Sequence, residues 1–212
     1  ETNLPRLIKA LEYFQKLILI LSGAGSVFSK RFEDPDFISF WVWTCFTIQY
    51  PKVKHTALQI TGKQGDGKGT FKEFLCELIG ARKVLSTTNP GRDVFGDFNS
   101  YCMHAIIIIL EEASKSAMSK NGGAGQLKSL ITDKTLVINE KHKPTYEVVN
   151  NSHICLFSNS TKELTDIPVD DRRMCAFRTD SETLFDTDEE KQDFYRYLND
   201  EVLADPEAIR FI

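Results

Sequence analysis

Apolar residues recur at 4, 7, 8, 11, 14, 18 and 21, a stripe that predicts a helix from Leu4 to Leu21 stopped by Ser22-Gly23. Asp34-Pro35 supplies an N-cap and a first-turn proline. The aromatic run from Phe37 to Tyr50, with Trp41, Trp43 and Phe46, then predicts a buried helix ending before Pro51 and packing a core. After Pro51 the pattern changes. Thr56–Ile60 reads as a strand, and Phe71, Phe74, Leu75, Leu78 and Ile79 form one face of a helix that ends at Gly80. Lys83–Thr87 predicts a short strand, and Ala105–Leu110 is the continuous apolar run of a parallel strand buried on both faces. A helix over Gln126–Ile131 leads to two strands, Thr135–Asn139 and Thr145–Val149, joined as a hairpin by Glu140-Lys141-His142-Lys143-Pro144. His153–Ser158 and Met174–Arg178 are further strands. Glu189–Leu203 is a terminal helix with Phe194, Tyr197, Leu198 and Val202 inward. Strands alternating with helices predict an α/β fold, a parallel or mostly parallel sheet covered on both faces. Along the chain this gives a small N-terminal helical subdomain (1–52), a core (53–180) and a C-terminal helical tail (181–212).

Composition narrows the classes. A net charge of −4 over 212 residues excludes a broad basic coat, so any contact with nucleic acid must be local or built by several subunits together. The five cysteines lie singly with no CxxC, which reads as reduced thiols in an intracellular, unsecreted protein, and the four histidines have no zinc-ligand spacing with them. The longest apolar runs are far too short to cross a bilayer, and no signal peptide opens the chain. It begins without Met, as a piece of something longer would.

Chemistry concentrates between the first strand and the helix after it. Gly62-Lys63-Gln64-Gly65-Asp66-Gly67-Lys68-Gly69-Thr70 holds four glycines, which let successive N–H groups curl inward, and Lys68 adds a point charge. An apolar strand in and an amphipathic helix out make this a phosphate cradle of the P-loop type. Ser or Thr usually follows the lysine; here Gly69 does, and the metal-side hydroxyl falls to Thr70. The run Ile106–Leu110 delivers Glu111 and Glu112 at a strand's carboxyl end, where a Mg²⁺ ligand and a base for the attacking water belong. Asn159 closes another strand, where an amide can reach a γ-phosphate. Asp170-Asp171-Arg172-Arg173 is either a surface ion cluster or a source of arginine fingers.

The order glycine loop, Glu-Glu strand, basic-tipped hairpin, Ser-Asn strand, Asp-Arg-Arg resembles the superfamily 3 helicases of the AAA+ class. The resemblance is strongest to the ATPase domain of phage, plasmid and viral primase–helicases. Val94-Phe95-Gly96-Asp97-Phe98-Asn99, and Leu127–Thr132 leading into Val137–Lys141, add to it, and it covers about 59–178. It implies a P-loop NTPase (AAA+-like) sheet, ATP and Mg²⁺ as ligands, and a ring, commonly a hexamer, around single-stranded nucleic acid, DNA above all. Lys68 and the loop amides would then hold phosphates, Thr70 and Glu111 the metal, with Glu112 the base and Asn159 the sensor. Arg172 or Arg173 would be the finger in trans, Arg173 first because an apolar strand follows it. Lys141, His142 and Lys143 stand where family hairpins line a channel. Two other readings stay open: a P-loop nucleotide kinase, whose loop Gly65-Asp66-Gly67-Lys68-Gly69-Thr70 also resembles, and an assembly module that binds nucleotide without turning it over.

Overall fold

Ile107, Ile108, Ile109 and Leu110 are fully buried, as are Leu58, Ile60, Cys155 and Leu156 on neighbouring strands. Each such side chain contributes about 1.5–3 kcal/mol by leaving water. The computed structural model describes residues 3–24, 33–111, 123–159 and 171–212. It is an α/β fold with a five-stranded parallel sheet flanked by helices. The strands are β1 (Ala57–Thr61), β2 (Val84–Thr87), β3 (Ile107–Glu111), β6 (His153–Ser158) and β7 (Met174–Arg178), in the order β2-β3-β6-β1-β7. The β2–β3, β3–β6 and β6–β1 pairings all run parallel. β4 (Thr135–Ile138) and β5 (Tyr146–Val149) form a separate antiparallel hairpin, with Thr135 opposite Val149 and Ile138 opposite Tyr146.

Two compact units emerge, each gathered from separated stretches. The first joins residues 1–42, 62–81 and 177–212. It holds α1 (Leu4–Ser22), the start of α2 (Pro35–Gln49), the glycine-rich loop, α3 (Lys68–Ile79), α5 (Asp188–Tyr197) and α6 (Pro206–Phe211). Its core is aromatic: Phe14 lies 4.0 Å from Phe74 between ring centroids, and Phe40 lies 5.2 Å from both Phe71 and Phe177. The second unit joins 43–61 and 82–176 and holds most of the sheet, the hairpin and α4 (Gly123–Thr132). There Val94, Phe95, Cys102, Leu127, Leu130 and Ile131 pack with Ile108, Leu110, Ile154 and Leu156.

The predicted elements are present, β6 and β7 with the predicted ends and the others with shifted ones. β1 starts at Ala57 because Thr56 gives its carbonyl to Trp43 Nε1 (2.8 Å) instead of to a strand. β3 starts at Ile107, and Ala105, at the predicted start, instead closes a turn with its N–H on Cys102 O (3.3 Å). In α1 the predicted stripe is only partly inward: Leu4 and Ile8 are exposed while Leu17 to Ser22 are all buried. The terminal helix stops at Tyr197, continues as a wider π turn over Leu198–Val202, and is followed by α6, which the pattern did not predict.

Candidate functional site

The glycine-rich loop leaves the sheet at the carboxyl end of β1. Gly65 and Gly67 have φ of 85° and 87°, left-handed values that side chains resist, so the loop curls around Asp66 as these two glycines allow. The first backbone bond across the loop–helix junction runs from Phe71 N–H to Gly67 O (2.9 Å), and the first-turn amides of Lys68, Gly69 and Thr70 have no intrahelical acceptor. Lys68 Nζ folds back to donate to Gly62 O and Lys63 O, each at 2.8 Å. Burial lowers its pKa, with the Asp66 charge opposing. One side of the loop is packed and one is open. A methyl group at Gly67 would strike Leu17 and the Tyr195 hydroxyl, whereas one at Gly65 or Gly69 would meet nothing within 4 Å. Thr70 and Gly69 line an open groove of about 550 Å³ with Glu73, Glu77 and Asn199. Gln64 and Lys63 are exposed on the loop, Lys63 paired with Glu182.

At the sheet's carboxyl edge the register brings Glu111 beside Phe157, and Ser158 beside Thr61. β6 therefore stands between β3, which ends in Glu111, and β1, which hands the chain to the loop. Glu111 Oε1 accepts from Ser86 Oγ on β2 at 2.5 Å, which fixes that carboxylate. Asn159, next after β6, is exposed. Glu112 and Asp170 lie outside the described residues. Asp171 holds Arg173 through both Nε and one Nη (2.8 Å each), and the Arg173 side chain and backbone N–H draw the Asp171 carboxyl down to about 2. Arg172 is exposed.

The hairpin is tied at both ends. At its tip Lys143 pairs with Glu140, which also accepts from the Tyr146 hydroxyl (3.0 Å), and His142 takes a left-handed φ of 66°. Lys141, His142 and Lys143 are all exposed. Asn99 grips the β4 arm as it enters the bend, donating Nδ2–H to Val137 O (2.9 Å) and accepting Asn139 N–H (2.9 Å). At the base, Asn150 Nδ2 donates to Leu130 O and Asp133 O at 2.9 Å each, closing off the end of α4. Lys54 Nζ also donates to Leu130 O (2.9 Å) and to Ser152 O, and burial brings its pKa down to about 8. Asn99, Asn150 and Lys54 carry no sequence signal of these roles. Each is tied to partners through loops, and Asn99 alone fell within a stretch singled out above.

A protein-family comparison matches residues 60–173 to a family of unknown function, DUF5906. The chain belongs to that family. It is 33% identical over 129 residues to the DNA primase-polymerase of Nitratiruptor phage NrS-1, over 60% of this chain and 17% of that protein. The chain thus spans about a sixth of that curated relative. Among solved structures, an apo form of the NrS-1 C-terminal region (305-718) superposes with a TM-score of 0.66 at 25% identity, covering 93% of this chain and 47% of the other. JCV helicase superposes with a TM-score of 0.50 at 14% identity, covering 94% of this chain and 52% of the other, a likeness of fold alone.

Proposed function

We propose that this DUF5906 chain is the ATP-hydrolysing motor of a replication helicase in a primase–helicase system, working on single-stranded DNA. The observation that carries the proposal is the loop: two left-handed glycines, first-turn amides without an intrahelical acceptor, Lys68 turned onto the loop and one open side, set at the carboxyl end of a buried parallel strand. Those features suit a triphosphate. Among the described residues no group of three or more His, Cys, Asp or Glu could hold a metal alone. A site that shares Mg²⁺ with phosphate oxygens needs only one or two protein ligands, the part Glu111 and Thr70 would play. Bound Mg²⁺ would neutralise charge developing on the phosphates. Glu112 would take the proton from the attacking water and Asn159 would hold the γ-phosphate. Because the Arg173 fork already lies on Asp171, the exposed Arg172 is the better finger toward a neighbouring subunit. The named phage relative is a primase-polymerase, and the shared fold with a viral helicase fits a part in DNA replication, although fold alone assigns no chemistry.

Substitutions test the assignment. Lys68→Met should weaken ATP·Mg²⁺ binding, whereas Glu112→Gln should keep binding and lose turnover by at least about a hundredfold. Turnover undiminished in Glu112→Gln would remove it as the base, and ATP binding unchanged in Lys68→Met would remove the loop as the site.

A further inference from the structure

Asp66 sits at an awkward place for a loop built to receive anions, since a free carboxylate there would repel phosphate. The structure removes that objection. Its carboxylate is buried and accepts Thr179 Oγ1 (2.5 Å), Ser181 Oγ (2.6 Å) and Lys191 Nζ (3.1 Å). Lys191 Nζ also donates to Ser181 Oγ at 2.8 Å, so the four groups form one closed network. Burial alone would raise the Asp66 pKa; hydrogen bonds from Ser181, Thr179 and Lys191 outweigh it and leave it below the usual carboxylate range. The same C-terminal stretch supplies the loop's packed side. Thr179 lies against Gly62, so that a Cβ there would fall 1.6 Å from its hydroxyl, and the Tyr195 hydroxyl lies against Gly67. That Tyr195 hydroxyl is buried and finds no hydrogen-bond partner among the described residues, so its place is set by packing on the loop.

A loop with two left-handed glycines has more freedom to lose than most, and curling it in advance needs an outside tie. We infer that Asp66 is the positioning residue of the glycine-rich loop, held by Thr179, Ser181 and Lys191 so that its amides are set for phosphate before ligand arrives. Lys191 would act through Asp66, to which its Nζ donates. The inference rests on the reading of the loop as a nucleotide site, and it names residues 113 to 125 positions away that no loop motif contains.

The test measures the loop and the ligand separately. Heteronuclear NOE values for the Gly65 and Gly67 amides report loop order in the ligand-free protein, and calorimetric titrations with tripolyphosphate and with ATP·Mg²⁺ report binding. Ser181→Ala and Lys191→Met should lower both NOE values and weaken both ligands by about tenfold, the weight of a hydrogen bond to a charged group. Lys191→Arg should restore most of the loss. Adenosine without phosphate should bind the variants as it binds the wild type, a selectivity that general destabilisation would not produce. Loop order and tripolyphosphate affinity unchanged in both variants would overturn the inference while leaving the nucleotide reading intact. Wild-type protein that binds neither ATP·Mg²⁺ nor tripolyphosphate would overturn the nucleotide reading and, with it, the phosphate role given to Asp66, even if the NOE values fell.

Discussion

His153 shows how one residue makes stability depend on pH. It is buried at the start of β6, stacks on His55 at 4.6 Å, and its Nε2 lies 3.1 Å from Pro51 O. Burial, reinforced by the nearby His55 and Lys54 and opposed by the Pro51 carbonyl, brings its pKa down to about 4. Unfolded, it would titrate near 6.5. Between those values the unfolded chain binds a proton that the folded chain does not, so stability falls as pH drops from 6.5 to 4 and is fully present above 6.5. The shift corresponds to up to about 3 kcal/mol. Urea unfolding at pH 7 and pH 4.5 should show this loss in the wild type and a clearly smaller one in His153→Gln; equal losses would assign the acid sensitivity elsewhere. Asp66 and Asp171 act in a different window: both are depressed, so their contribution is present above the ordinary carboxylate pKa and is lost only as pH falls through their folded values.

The hairpin is the element whose behaviour follows most directly from its ties. Asn99→Ala removes two hydrogen bonds at the bend and strands the Asn139 N–H, a cost of about 1–3 kcal/mol. The expected result is weaker single-stranded DNA binding with unchanged ATP binding, measured by fluorescence anisotropy and calorimetry. Replacing Lys141 and His142 together by alanine should leave basal turnover and lower both DNA affinity and its salt slope, by about 0.7 per lost phosphate contact. Unchanged strand binding in that double variant would remove the hairpin tip from the DNA path. Elements of this kind were legible in the sequence where turn residues bracket an apolar run: His153–Ser158 and Met174–Arg178 are found with the ends the pattern gives. α6 was not, because six residues are too few to show a period, although Asp205 caps them and Pro206 opens the turn. The grip of Asn99 on the hairpin and of Lys191 on the loop was illegible for another reason. Such pairs join residues 38 to 125 positions apart, and only the fold brings them together.

At the scale of the molecule, linear order and spatial grouping differ. The divisions 1–52, 53–180 and 181–212 follow the order of patterns along the chain, whereas contacts gather the N-terminal helix, the glycine-rich loop with α3, and the tail into one unit. A change in the tail is therefore expected to act on the loop. Among the described residues no helix is long and apolar enough to cross a membrane. If the proposed motor works as a ring, with Arg172 completing a neighbour's site, mass measurement with ATP and single-stranded DNA should find an oligomer, a hexamer above all. Arg172→Ala should preserve that mass while abolishing turnover. A chain that stays monomeric at full activity would exclude a finger in trans. Phosphate release measured with and without single-stranded DNA, in the absence of any phosphoryl acceptor, separates ATP hydrolysis coupled to a DNA strand from phosphoryl transfer to a nucleotide. For the proposed motor, release should rise with DNA and disappear in Lys68→Met; turnover that starts only when a nucleoside monophosphate is added would rule the motor out and make the protein a kinase.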